Sequence, residues 1–386
     1  MKRKAQGILI KGSVVAGESY MAYVPKPLPP RPAVDMEAVG RQLARANIAI
    51  GQLNGVIEAN LNPLIINYMY VRKEAVLSSQ IEGTQSTLDD LLRYESEQTA
   101  GITVDDVAEV SSYVNALNHG LRRVEGGFPL SLRLIREIHK ILLHNSRGRT
   151  KTPGEFRRSQ NWIGGTRPSN ALFVPAPAHE VMNCLHSLEQ FIHAEDNIPE
   201  LVKAALIHQQ FETIHPFLDG NGRTGRLLIT LFLCIKGFLQ SPFLYLSLFF
   251  KQHRDLYYDK LNAVRKTGNW EDWINFFLEG IAETATDAKN TLLAIKKLFA
   301  VDDKKVAALG RAAVSAKKVF AEFQQKPVLT IVELVKRTGL ATPTAISAVR
   351  RLIVLGILEN ISEKKWGQLY SYKGYVDLLA PGTGNN

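Results

Sequence analysis

Residues 215–226 read His-Pro-Phe-Leu-Asp-Gly-Asn-Gly-Arg-Thr-Gly-Arg, and the reading of this stretch decides the fold expected of the chain. Upstream, Leu201, Val202, Ala205, Leu206 and Ile214 recur at helical spacing, and downstream Leu227, Leu228, Leu231, Phe232 and Ile235 form a second stripe. The twelve residues are therefore a turn between two helices, with Gly220 and Gly222 where the second one starts. A helix start presents unpaired N–H groups and the positive end of the dipole, so an anion is expected there. Arg223 and Arg226, three apart, project from one face of the first turn and offer two guanidinium groups to the same phosphate chain. Asp219 would repel bare phosphates and suits a cation bridging them. His215 supplies a base at the other rim. Asp219-Gly220-Asn221-Gly222 alone would be ordinary turn chemistry; with His215, Phe217, Arg223 and Arg226 at fixed offsets it is the inventory of a polyphosphate site.

The stretch resembles the signature of the Fic family: His, any residue, Phe, any residue, Asp or Glu, Gly-Asn-Gly-Arg, two residues, Arg. Every defining position is matched. The resemblance implies a protein adenylyltransferase that moves AMP from ATP to a Ser, Thr or Tyr hydroxyl of a target protein, with Mg2+ as cofactor and self-modification as a side reaction. It assigns His215 as general base and Asp219 as magnesium ligand. Gly220, Asn221 and Gly222 become the phosphate cradle and Arg223 and Arg226 the clamps, with Thr224 and Gly225 completing the nucleotide-binding segment. A branch of the family with Lys at the position of Gly222 acts as a kinase. The glycine here favours attack at the α-phosphorus, because a side chain in the cradle would change how the phosphates seat.

Ser78-Ser79-Gln80-Ile81-Glu82-Gly83 is similar to the inhibitory motif of the same family, in which the glutamate pairs with the second arginine of the signature, here Arg226. Ser78 and Glu82 are four apart and share a helix face, and Gly83 is expected to remove a Cβ where a close approach is needed. An Arg226 held by Glu82 cannot hold the γ-phosphate, so autoinhibition is expected; in some relatives the same glutamate aligns a water that removes AMP again.

Between the motifs, the glycines, prolines and short β-prone runs from Gly154 to Pro177 read as a hairpin. It resembles the family's flap, whose edge, here at Ile163 and Gly164, pairs with an extended segment of the target. Tyr257 and Tyr258 resemble a helix that contributes to the adenine site, with Tyr258 the ring expected to reach the base.

The fold class expected is mainly α: an all-helical core with a small β-hairpin flap and a C-terminal winged helix. Residues 1–34, with Pro25, Pro27, Pro29, Pro30 and Pro32, form an extended arm; 35–100 are helices carrying the Glu82 motif, including a Leu43, Ala46, Ile50, Leu53, Ile57 stripe; 101–290 are the catalytic core. Residues 305–380 carry a helix at Val332–Arg337, a turn at Gly339, a second helix from Thr342 to Leu355 and β-prone residues near Leu369–Tyr372. This end is basic: residues 296–386 hold 15 Lys and Arg against 7 Asp and Glu, whereas residues 1–295 hold 32 against 30. Thr344, Ser347, Arg350 and Arg351 lie on or near the would-be recognition helix, so DNA contact through phosphates and protein docking or homodimer formation both suit it. A DNA-binding regulator with a Fic-like sensor core is the second function class that the sequence leaves open.

The 386 residues and 45% hydrophobic content suit a globular chain with two or three domains. Cys184 and Cys234 fall in apolar helical patterns and read as free thiols. Lys11 interrupts the apolar run after Met1-Lys2-Arg3-Lys4, and Lys236 and Pro242 interrupt the one after Leu227. No signal peptide or membrane span is expected, which places the protein in the cytoplasm.

Overall fold

The computed structural model describes residues 5–13, 19–60, 63–96, 105–362 and 367–384. Two helices occupy the centre, α7 (Glu200–Ile214) and α8 (Asn221–Ile235), the pair expected on either side of the signature. Neither is amphipathic in practice. Every residue of α7 from Leu201 to Ile214 is buried, and so is α8 from Arg223 to Leu233, because neighbours cover them on all sides.

The surrounding helices are α1 (Met36–Asn60), α2 (Pro63–Ile81), α3 (Leu88–Ser96), α4 (Asp105–Glu125), α5 (Leu132–Leu142) and α6 (Val181–His193) before the pair. After it come α9 (Ser247–Gln252), α10 (Arg254–Thr267) and α11 (Trp270–Ala307). The α1 stripe behaves as expected: Ala46, Ile50, Leu53 and Ile57 are buried and Leu43 partly so, along the side of α11. The Ser131 hydroxyl starts α5 by accepting the Leu134 N–H at 3.4 Å.

The structure refines three expectations. The arm is extended, but its first part is paired: β1 (Gly7–Ser13) and β2 (Ser19–Pro25) run antiparallel in register Gly7↔Pro25 to Ser13↔Ser19, and only the prolines beyond Pro25 lack a ladder. The run of β-prone residues before the first proline outweighs the stiffness after it. The flap is smaller than a hairpin of two strands: one antiparallel bridge joins Ile163 and Phe173, and Tyr23 of β2 pairs in parallel with Pro175 beside it. The change of domain expected between residues 290 and 305 is not a break in the chain, since α11 runs through it for 38 residues, about 57 Å. The boundary expected near residue 100 lies outside the described residues, as does Met1–Lys4.

Beyond α11 the order is α12 (Ala313–Gln325), β3 (Val328–Thr330), α13 (Ile331–Thr338), α14 (Thr342–Val354), β4 (Glu359–Asn360), β5 (Leu369–Ser371) and α15 (Lys373–Leu379). The three strands form one sheet in the order β3-β5-β4, antiparallel throughout. A capping box between Thr330 and Glu333 opens α13, and Gly339 at φ +68° closes it. Cys184 and Cys234 are free thiols. Among the described residues no helix is long and apolar enough to cross a membrane.

Candidate active site

The geometry is built on the turn between α7 and α8. His215 caps α7 in the left-handed region at φ +50°, one of two non-glycine residues with positive φ among those described. For a side chain with a Cβ that conformation costs on the order of 1 kcal/mol or more and has to be held from outside. Arg157 holds it: its Nε donates to the His215 carbonyl at 2.9 Å, its backbone N–H donates to the Pro216 carbonyl at 2.9 Å, and its Nη2 reaches the carbonyls of Ala176 and Ile214. Asn161 adds a bond to the same His215 carbonyl, at 3.2 Å, and one to Phe217 at 2.8 Å.

Phe217 anchors the turn from below, stacked on the His139 ring with centroids 3.6 Å apart. The Gly154 N–H donates to His139 Nδ1 at 2.9 Å, so the ring proton is on Nε2, which donates to the Asp219 carbonyl at 3.0 Å. Asn221 closes the loop by accepting from the Phe217 N–H (2.8 Å) and donating to its carbonyl (2.9 Å). Its role here is to fix the turn, and its side chain is spent on it.

Gly220, at φ +75°, is the N-cap of α8. The first bond back to the cap is from Thr224 N to Gly220 O at 3.0 Å, so the N–H groups of Asn221, Gly222 and Arg223 are the ones a helix start leaves for an anion. The Gly220 N–H is engaged by the carboxylate of Asp219 at 2.6 Å. Thr224 and Gly225, expected in the nucleotide segment, face inward instead. The Thr224 hydroxyl donates to the Gly220 carbonyl at 2.8 Å, and a Cβ at Gly225 would run into the Glu212 carboxylate.

The two arginines do not converge on an open site; each is held by its own carboxylate. Arg223 pairs with the buried Glu109 of α4 and lies 3.6 Å from Asp219. Arg226 donates through Nε to the Ser78 hydroxyl (2.9 Å), and through Nη2 to the Ser78 carbonyl (2.9 Å) and to Glu82 (2.7 Å). The Arg226 side chain is 2% exposed and that of Glu82 34%. Burial pushes the Glu82 carboxyl up, but Arg226, Arg223 and His215 together hold it below the usual range. Glu82 sits just past the end of α2, in a turn where its N–H bonds to Ser79 O at 3.0 Å. Gly83 serves a different purpose from the one expected. A Cβ there would meet nothing within 4 Å, and the residue is needed for its φ of +97°. The close approach is at Gly222, where a Cβ would collide with Glu82 and crowd Arg226.

His215 is poised as a neutral imidazole. Burial, then Arg265 and Arg157, push its pKa down to about 3. Arg265, of α10, donates to the Glu212 carbonyl (3.1 Å) and Thr213 hydroxyl (3.0 Å) and lies 3.9 Å above the Phe173 ring of the flap. His215 Nδ1 has no hydrogen-bond partner and lies 3.9 Å from Glu212, whose own carboxyl is pushed by burial to about 7. Buried side-chain atoms of Glu109, Glu212, His208, His215 and Arg223, around this turn, have no hydrogen-bond partner within the protein.

Of the tyrosine pair, Tyr257 belongs to the core, its hydroxyl 2.8 Å from His208 Nε2, while Tyr258 is partly buried beneath the Arg254 guanidinium. Gly164, at φ +68°, follows Ile163 at the flap edge, with Leu172 opposite and 83% exposed. Arg157, Arg265, His139 and Glu109 were not singled out by the sequence reading. Arg157 sat in view within the flap segment, but nothing local marks a residue whose partners lie 58 positions away.

Metal and nucleotide fit this donor set in a limited way. Asp219 offers one carboxylate, 41% exposed, and among the described residues no cluster of three His, Cys, Asp or Glu could hold an ion alone. One carboxylate is too few donors to hold a divalent cation without further ligands.

Residues 40–122 match the model described as Fic/DOC family N-terminal, and residues 129–233 match that described as Fic/DOC family. A probable protein adenylyltransferase of Aquifex aeolicus is 35% identical over 91 residues, which are 24% of this chain and 27% of the relative. A protein adenylyltransferase Fic of Aedes aegypti is 33% identical over 150 residues, 39% of this chain and 27% of the relative. The chain thus spans about a quarter of the length of each. In fold, it is similar to the crystal structure of a Fic family protein from Desulfovibrio desulfuricans G20, at TM-score 0.59 and 19% identity, covering 89% of this chain and 98% of that one. Fic-1 from C. elegans is similar at TM-score 0.52 and 20% identity, over 68% and 75%.

Proposed function

We propose that this chain, which carries the two Fic/DOC family domains, is a protein adenylyltransferase held in check by its own Glu82. The observation that carries the reading is a partly buried imidazole kept neutral beside a helix start whose second arginine is occupied by a carboxylate. A neutral His215 can accept a proton from an incoming Ser, Thr or Tyr hydroxyl. The first-turn amides of α8 and the Arg223 and Arg226 guanidinium groups would hold the phosphates of ATP, and Asp219 would hold Mg2+, which supplies charge neutralisation to them when bound. Tyr258 would stack on the base, and the Ile163–Gly164 edge would take an extended segment of the target.

The Glu82–Arg226 pair gives the inhibition a physical form. As long as Arg226 is engaged, a triphosphate entering the turn finds one clamp missing and its inner phosphorus is not aligned for in-line attack. Freed from Arg226, Glu82 is a carboxylate near the same site and could orient a water for AMP removal. We read the elements after α11 as a winged helix, in which α14, the helix that follows the turn at Gly339, presents Thr344, Ser347, Arg350 and Arg351 to solvent. Target selection, pairing with a second copy and phosphate contacts to DNA all suit that face, and it is the ground for the second reading, a DNA-binding regulator with a Fic-like sensor core.

One experiment separates the readings: labelling of protein by ATP carrying the label in the α- or γ-position, with Mg2+, for wild type, Glu82→Gly and His215→Ala. Transfer of the α-label, raised by Glu82→Gly and cut about a hundredfold or more by His215→Ala, is expected. Transfer of the γ-label would mean a kinase, and no transfer from any variant would leave the regulator.

A further inference from the structure

The inhibitory turn is gripped from two sides, and only one of them is the active site. Ser78 and Glu82 face Arg226. Gln80, between them in the last turn of α2, points the other way, and its Nε2 donates to the carbonyl of Thr383 at 2.9 Å and to that of Ser86 at 2.9 Å. Lys251, of α9, completes the node: its Nζ donates to Gln80 Oε1 at 2.7 Å, to Gly382 O at 3.0 Å and to Gly384 O at 3.1 Å. One ammonium group thus joins the inhibitory helix, the catalytic core and residues 382–384.

Those last residues are shaped for the contact. Gly382 has φ +83°, and a Cβ on it would strike the Leu248 side chain, so the backbone lies directly on α9. Thr383 is 2% exposed, tied back to Ala380 O through both its N–H (2.9 Å) and its hydroxyl (2.7 Å). The segment follows α15, which packs on both α2 and α11. On its other flank, Arg93 and Ser96 of α3 donate to the carbonyls of Ile361 (2.7 Å) and Val328 (3.0 Å). A cleft of about 330 Å³ separates α3 from α15 and is lined by Asp89, Arg93, Lys373, Asp377 and Thr383.

We propose that residues 381–384 are a strap through which the C-terminal module holds the inhibitory turn closed, so that lifting the strap from Gln80 and Lys251 parts Glu82 from Arg226 and raises AMP transfer. This rests on the inhibitory reading of Glu82 given above. The physical ground is lever length. Gln80 is two residues from Glu82 and two from Ser78, on a turn whose N–H groups at 82, 83 and 84 all bond back to Ser79 and Gln80, so displacement of one end is passed to the other. An ion pair at 2.7 Å loses its hydrogen bond within about 1 Å of movement. The strap and the active site are then two sites biasing one element, and coupling of this kind typically changes activity by roughly 5- to 100-fold.

The test uses the full chain and α-labelled ATP with Mg2+. Gly382→Val pushes the strap off Leu248 without touching α2, and Lys251→Met removes the donor; each is made alone and in the Glu82→Gly background, with thermal melts confirming folding. The expected result is a rise of roughly 5- to 100-fold for both variants over wild type, and a change of less than about twofold when Glu82 is already absent. Wild-type or lower labelling by both variants, with Glu82→Gly raised as expected, overturns the strap and leaves the inhibition standing. A rise of equal size in the Glu82→Gly background also overturns it, because the effect would not pass through Glu82. If Glu82→Gly itself fails to raise labelling, the inhibitory reading fails and the strap with it.

Discussion

At the scale of single residues, His215 shows how surroundings hold an imidazole neutral. The left-handed backbone ends α7 at this residue, and its carbonyl is taken by Arg157. Burial, then Arg265 and this same guanidinium, push the imidazole pKa down to about 3, so Arg157 fixes the backbone of the turn and adds to what keeps the ring neutral. The base is unprotonated everywhere above that value. Labelling by the Glu82→Gly enzyme is therefore expected to show no acid limb centred near 6.5, the ordinary imidazole value. Arg157→Gln in that background removes one of the charges that depress the pKa and loosens the His215 carbonyl; labelling should fall by about tenfold or more, and a limb should enter from the acid side. An inflection near 6.5 in the parent profile would show that the imidazole is not held neutral.

At the scale of elements, the decisive object is the contact between the end of α2 and the start of α8. Helix α2 delivers Ser78 and, one turn on, Glu82, and α8 delivers Arg226; Gly222 leaves room for the pair by lacking a Cβ. Removing Glu82 leaves a buried guanidinium with the Ser78 groups alone. Because Glu82 is a third exposed, the loss is smaller than for a fully buried pair, roughly 1–2 kcal/mol. Glu82→Gly should melt about 2–4 °C below wild type. Mg-ATP should raise its Tm by more than it raises that of wild type, since phosphate then replaces the lost carboxylate. Equal shifts in the two proteins would mean that Arg226 is not where the nucleotide's charge is met.

At the scale of the whole molecule, the buried ionisable groups set a pH dependence of stability. Burial, first among the causes in each case, pushes His139 down to about 4 and His208 and His215 to about 3. Each must shed a proton to fold below 6.5, a cost that fades as pH rises to that value. Burial also pushes Glu74 and Glu212 from 4.5 up to about 7, so each must take up a proton to fold above 4.5, a cost that grows as pH rises to about 7. Between 4.5 and 6.5 the three imidazoles outweigh the two carboxyls and stability should climb; from 6.5 to about 7 only the carboxyls still act and it should decline. A melting series over this range is expected to peak near pH 6.5, and a Tm that falls steadily from pH 5 upward would contradict the assignment. The continuous α11 joins the C-terminal module to the helices that surround the turn.

Helical periodicity, capping glycines and a twelve-residue motif are local signals, and they were enough to give the central pair of helices, the turn between them and the inventory of groups at it. It also placed Ser78, Glu82 and Arg226 in one interaction, through a resemblance and not through any spacing along the chain. How the remaining groups are used follows from packing. Thr224 and Gly225 turn inward because α8 is buried on that side, and Arg223 is claimed by Glu109, 114 residues away. Arg157 and His139 brace the turn through partners that no local pattern announces. The N-terminal hairpin was missed for the opposite reason: a cluster of prolines gave a strong local signal, and it concealed the weaker alternation before it. Contacts between residues distant in sequence depend on which faces the packed helices leave over, and that is fixed only once the whole core has closed.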